Sequence, residues 1–171
     1  MIASRFLLAA LAALTLTGMA RKPALTLRFH LETTGAAGAP FAIPVKFTNP
    51  ARDGFMSNVP AISERNIVAI FPTPAADGTW GCAFKLDAGG RLALEQLSRD
   101  KRGSSLVAFM ATKGGSHQIM DLLIDRPVSD GILYLPRGLT ALEIAALRKT
   151  FKVLGESGKK PRAAATPAPG S

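Results

Sequence analysis

Two histidines, a single cysteine and three aspartates near one another are the residues of this chain whose types could do chemistry. Cys82 with His30 or His117 would supply the thiol nucleophile and the general base of an exported cysteine transpeptidase. The Ser-His-Gly-Cys run such enzymes carry is missing, since Ser116-His117 is followed by Gln118-Ile119. Neither histidine has a Cys, His or carboxylate at metal-ligand spacing, so no zinc site is expected. Asp121 and Asp125 would share one face of an alternating strand and Asp130 falls in a turn. That spacing fits no calcium loop, and solvated carboxylates are the expectation. Gly89-Gly90-Arg91 could present backbone N–H groups to an anion at a helix start. No nucleotide-binding fingerprint accompanies it, and the glycines are explained by the start of the helix alone. The residues therefore point to no catalytic set, no metal and no cofactor.

Charge and length bound what remains. The chain has 171 residues and a net charge of +9, with 21 Lys and Arg against 12 Asp and Glu. The charged fraction of 19% with 47% hydrophobic residues excludes a disordered chain. One cysteine excludes a disulfide scaffold. A basic balance favours anionic headgroups, acidic polymers or acidic partners without setting specificity. The runs Arg99-Asp100-Lys101-Arg102 and Lys159-Lys160-Pro161-Arg162 read as solvated surface, with weak contact to an anionic membrane as the functional alternative.

The first twenty residues position the chain before anything else does. A basic start to Arg5, an apolar run Phe6 to Leu16 and the small-residue ending Gly18-Met19-Ala20 form a secretory signal peptide, with cleavage expected between Ala20 and Arg21. The apolar run of about eleven residues is shorter than the roughly 20 needed to span a bilayer. Met19 stands where a lipoprotein signal has its cysteine, so lipidation is not expected. A soluble periplasmic or extracellular protein follows, with a polypeptide or envelope protein as the expected partner and nucleic acid not expected. In an oxidising compartment a lone Cys82 reads as a buried small hydrophobe rather than a reactive thiol.

Hydrophobic periodicity then assigns the elements. Ala24 to Thr33 alternates strictly, with Leu25, Leu27, Phe29 and Leu31 on one face and His30 on the other. Phe41, Ile43, Val45 and Phe47 repeat the pattern, so these two strands are expected to form an N-terminal β-hairpin, with Pro44 placing the second at a sheet edge. Asn49 to Arg65 has no period and carries Pro50, Gly54 and Pro60. It reads as a loop of about fifteen residues whose Phe55 and Met56 either tuck beneath it as a satellite cluster or form a candidate partner contact. Strands follow at Asn66–Phe71 and at Trp80–Leu86, the latter with Trp80, Cys82, Phe84 and Leu86 on one face. Asp87 caps a helix with the stripe Leu92, Ala93, Gln96 and Leu97. Ser104–Thr112 is a buried strand that turns at Gly114-Gly115 and returns through Gln118 to Ile124. Ile132–Leu135 is a short strand. Thr140 and Glu143 then form a capping box, stapled by Leu139 and Ile144, for a helix carrying Ile144, Leu147, Phe151 and Leu154 and ending at Gly155. The Lys/Pro/Ala-rich remainder to Ser171 reads as a disordered basic tail. The sum is one α+β domain over residues 21–154, with a largely antiparallel sheet and two helices on one face. Its other face is expected to be polar or covered by a partner.

The stretch Phe84-Lys85-Leu86-Asp87-Ala88-Gly89-Gly90-Arg91-Leu92-Ala93-Leu94, followed by Leu106-Val107-Ala108-Phe109, resembles the periplasmic head subdomain of SecD, an accessory subunit of bacterial protein export. Ile124-Asp125-Arg126-Pro127-Val128 and Gly138-Leu139-Thr140-Ala141-Leu142-Glu143 sit where that family has a strand, a turn and a second capped helix. The resemblance spans about residues 80–151 and lacks the family's membrane helices. It implies a detached head-like domain that contacts unfolded polypeptide, without proton-driven translocation.

Overall fold

The computed structural model describes residues 25–35 and 41–155. The signal sequence, the Ala20–Arg21 cleavage point and the tail beyond Gly155 lie outside the described residues. Among the described residues, nine strands, two α-helices and a short 3-10 turn follow one another in an α+β order: β1 (Thr26–Thr33), β2 (Ala42–Thr48), β3 (Ala51–Ser63), β4 (Ile67–Pro74), β5 (Trp80–Leu86), α1 (Ala88–Asp100), β6 (Ser105–Thr112), β7 (Gly115–Leu123), β8 (Ile132–Leu139), α2 (Ala141–Thr150) and β9 (Lys152–Val153), with the 3-10 turn at Glu64–Asn66. Two sheets form, in the orders β2-β3-β1-β6-β7 and β8-β5-β4-β9, and every pairing but β4 with β9 is antiparallel.

The alternation of β1 puts Leu27 and Phe29 into a core that both sheets and both helices share. Phe29 meets Phe84 of β5 edge to face, with ring centroids 5.9 Å apart, and so joins the two sheets. Leu94 of α1 and Ile144 and Leu147 of α2 complete the same core. Both helix starts are as the sequence predicts. Asp87 accepts a hydrogen bond from the Gly90 N–H at 2.7 Å, and Thr140 and Glu143 close their reciprocal box.

Four sequence expectations change. First, β1 does not pair with β2: it lies between β3 and β6, and the hairpin is β2 with β3. Second, residues 51–63 form a strand, not a loop. Its period is lost because two register shifts against β1 leave extra residues on β3, between the pairs Phe29↔Ile62, His30↔Pro60 and Glu32↔Met56. Pro60 is tolerated because the ladder with β2 reaches only Ser57, so no β2 acceptor awaits its missing N–H. Third, the buried stripe of α1 is Gly90, Leu94 and Ser98, with Leu97 partly buried, while Leu92 is exposed. Fourth, α2 stops at Thr150. Phe151 leaves the helix and Val153 joins β4 in parallel, with the Leu154 N–H on the Ile70 carbonyl. Pro44, as expected, lies on an edge strand.

The second face of β1 and β6, expected to be polar or covered by a partner, is covered by the chain itself. Val45 and Phe47 of β2 and Met56 of β3 close over Val107, with Ile43 and Phe109 beside them. The β2–β3 hairpin is held there by polar groups. Asp121 of β7, 2% exposed, accepts hydrogen bonds from the Thr48 N–H at 2.8 Å, the Asn49 N–H at 2.9 Å and the Thr48 hydroxyl. Gln118 donates to the Lys46 carbonyl. These contacts bridge β2 and β7, the two edges of the five-stranded sheet. Glu32 adds a two-pronged pair with Arg52 and accepts from the Ser105 N–H, while the Arg52 guanidinium stacks 4.1 Å from the Phe47 ring centroid. Burial raises the Asp121 carboxyl pKa, but the hydrogen bonds from Thr48 and Asn49 outweigh it and hold the group below the ordinary carboxylate value.

Because a depressed carboxylate stabilises the fold above its unfolded value of about 3.9 and loses that contribution as pH falls through the folded value, the hairpin closure is acid-sensitive. Asp121→Asn presents an amide donor to a site that needs acceptors. It is expected to cost about 1–3 kcal/mol in urea unfolding at neutral pH and to flatten the acid limb of the stability profile.

Candidate functional site

The residues with chemical potential are dispersed among different partners. Cys82 points into the shared core, 0% exposed, and its thiol donates to the Ala83 carbonyl at 3.7 Å. Burial pushes its thiol up to about 12. His30 lies on the opposite face of β1, where its Nδ1–H donates to the Ser57 carbonyl at 2.9 Å and its ring meets Phe109 edge to face. Burial lowers the His30 pKa, the Ser57 hydrogen bond working against it and Arg28 with it. His117 instead faces Glu143 of α2, Nε2 to Oε1 at 3.1 Å. The structure brings Cys82 together with neither histidine. Asp121 is the buried latch described above rather than a solvated carboxylate, and β7 ends at Leu123, so Asp125 does not share its strand face. Asp130 accepts from the Ile132 N–H. Among the described residues no group of three His, Cys, Asp or Glu could hold a metal. Met56 is buried beneath the hairpin and Phe55 is 39% exposed, both on β3.

What the fold does assemble is a pair of strand edges. β7 and β8 are edge strands of different sheets, joined by the connection 124–131. They meet where Gly138, at φ +97°, sits against Ile119 with no room for a side chain. Toward the other end they part around a cleft of about 660 Å³. Leu122 and Leu123 of β7, Leu94 and Leu97 of α1, Val128 of the connection and Leu133 of β8 line its apolar part. The connection is pinned on one side by the Val128 N–H on Ser98 Oγ at 2.8 Å and on the other by the Gly131 carbonyl, which accepts from the Leu86 N–H. Arg102 reaches the Asp125 carbonyl. Edge strands carry outward N–H and C=O groups with no ladder partner, so this cleft combines apolar side chains with main-chain donors and acceptors.

A second surface adjoins it. β8 is apolar on both faces: Leu133 and Leu135 point into the core while Ile132 and Tyr134 stay exposed. The unbroken run Ile132-Leu133-Tyr134-Leu135 is the signal in the sequence that could have disclosed this, because a strand with one solvated face alternates. The outer row Phe71, Ala83, Tyr134 crosses three strands in register, and Ala69, Lys85, Ile132 forms the next.

No family model and no curated protein sequence matches the chain. Two solved structures of SecDF are similar to it. One, described as a membrane component SecDF that enhances protein export, shares 15% identity at a TM-score of 0.47 and covers 74% of this chain and 63% of that one. The other, SecDF in a super-membrane-facing form, shares 13% identity at 0.46 and covers 74% of this chain and 19% of that one. The likeness to SecDF expected from residues 80–151 is therefore found over a larger part of the chain, which spans less than two thirds of either matched chain. No helix of the described residues is long and apolar enough to cross a membrane.

Two outcomes follow from the dispersed groups. Cys82 should resist iodoacetamide at pH 8 in the folded chain and react once denaturant exposes it, as Ellman titration would also read; rapid labelling without denaturant would contradict the buried placement. His30, whose folded pKa is lowered, contributes stability that is full above its unfolded value near 6.5 and declines as pH falls. His30→Gln should thus lose less stability than the parent between about pH 6.5 and pH 5, measured by urea unfolding at each pH.

Proposed function

We propose that the chain is a non-catalytic interaction domain of the cell envelope that holds an extended polypeptide segment in the cleft between β7 and β8. The supporting observation is that two unpaired strand edges and an apolar wall border one opening. Main-chain edges recognise another main chain whatever its sequence, by adding it as a further strand, and the leucines beside them take its alternate side chains. An unfolded polypeptide offers both, whereas a folded protein has already spent its backbone groups internally. The same reading includes export through the first twenty residues, with the 21–154 domain released after Ala20 and the basic tail following it. A contribution to protein export, implied by the SecD resemblance, belongs to this proposal.

The reading separates from attraction by charge alone. The +9 net charge will draw acidic chains at low salt, but strand addition in an apolar cleft persists when salt is raised. Titration with one reduced, unfolded secretory polypeptide and with its folded form, at low and high salt, should show salt-resistant preference for the unfolded chain. Hydrogen exchange of the bound complex should slow at the outward-facing Tyr134 amide of β8. Equal affinity for both forms, or binding abolished by salt, would overturn the proposal.

A further inference from the structure

The outer face of the four-stranded sheet, which adjoins the cleft along β8, has a chemistry of its own. Three cross-strand rows define it: Phe71–Ala83–Tyr134, Ala69–Lys85–Ile132 continued by Lys152 of β9, and Thr73 opposite Gly81. Phe71 is 46% and Tyr134 52% exposed, with Ile132 similarly open, while Ala69 between Lys85 and Lys152 is buried. Cross-strand neighbours share a face and lie close enough to touch, so these side chains form one contiguous patch rather than scattered surface apolars. Along β5 the floor is small, Gly81 then Ala83, and the aromatic rings stand on either side of it on β4 and β8. Gly81 is held to that size, because a Cβ there would lie 2.5 Å from the Pro136 carbonyl oxygen. Lys85 and Lys152, both exposed, are the charged residues of these rows, and none of the rows contains an Asp or Glu.

We propose that this face docks on an anionic lipid surface. Two aromatic rings and an isoleucine, interspersed with lysines and free of carboxylates, suit an interface that is apolar below and negative above. The rings enter the boundary between headgroups and acyl chains, the Tyr134 hydroxyl stays among the headgroups, and the lysine stems lie along apolar surface while their amines meet lipid phosphates. A protein partner closing over the same face would have to bury Lys85 beside Ile132 and supply it a carboxylate, whereas a lipid surface leaves its amine hydrated. The net charge of +9 adds long-range attraction of the same sign. This surface adjoins the β7–β8 cleft and shares Ile132 and Tyr134 of β8 with it.

The test is co-sedimentation of the full chain with large vesicles of phosphatidylcholine alone or of phosphatidylcholine mixed equally with phosphatidylglycerol. Because the apolar run Phe6–Leu16 is common to every variant and can itself enter vesicles, the readout is the difference between variants. Lys85→Glu and the pair Phe71→Ser with Tyr134→Ser should each weaken binding to the phosphatidylglycerol vesicles about tenfold. Leu142→Ser, at the most exposed apolar side chain of α2, should leave it unchanged. Equal thermal unfolding of Lys85→Glu and the parent establishes that the loss is not a folding defect, since Lys85 is exposed. Variants that bind as the parent does would overturn the proposal, as would equal binding to both vesicle compositions. A parent that ignores vesicles but self-associates in sedimentation equilibrium, with the association lost in the Phe71/Tyr134 variant, would also overturn it and make the face an interface between protein copies.

Discussion

A buried carboxylate holds together the two edges of the five-stranded sheet. Asp121 on β7 takes up the Thr48 and Asn49 N–H groups at the tip of β2–β3 and so tethers that tip to β7. The bond does for the sheet edge what a ladder of backbone pairs does elsewhere. It also sets a boundary: β2 lies against β7 only as far as Asp121, so Leu122 and Leu123 beyond it remain free to line the cleft. The second edge of that cleft, β8, belongs to the other sheet, and the two sheets keep their relation through the core around Phe29 and Phe84. The opening is thus a consequence of how each sheet is closed.

The groups that first invite a catalytic reading are used structurally. Cys82 fills the core, where a thiolate would be stripped of solvent. His30 sits inside the hairpin cover with its Nδ1 proton on a carbonyl. Glu143 spends one oxygen on the start of α2 and faces His117 with the other. Each polar side chain in the interior is answered by a specific partner, with Ser105 Oγ the one buried side-chain oxygen among the described residues that is not. Backbone groups and apolar side chains are left uncommitted elsewhere, at the β7–β8 cleft and in the outer rows of the four-stranded sheet.

The likeness to SecDF sits beside this picture. It covers most of this chain but less than two thirds of either matched one. Gly138 is conformationally constrained at the convergence of β7 and β8, and Gly81 at the close approach of β5 and β8, so backbone packing limits residue choice there whatever the chain binds.

The sequence by itself determined the α+β class, the strict alternation of β1, the buried β6, the edge position of β2 and both helix starts, because each is written in neighbours two to four residues apart. It could not disclose β3, whose period is erased by bulges that exist only against β1. Nor could it disclose that Asp121 would be buried, since its three donors lie 72 and 73 positions away. The early end of α2 was likewise decided elsewhere, by β4 offering Val153 a parallel edge. The cleft was decided by tertiary structure alone, because a strand's free edge is defined by which neighbour fails to pair with it. Local spacing sets what a segment can form; only the assembled sheets set which of its groups are left over.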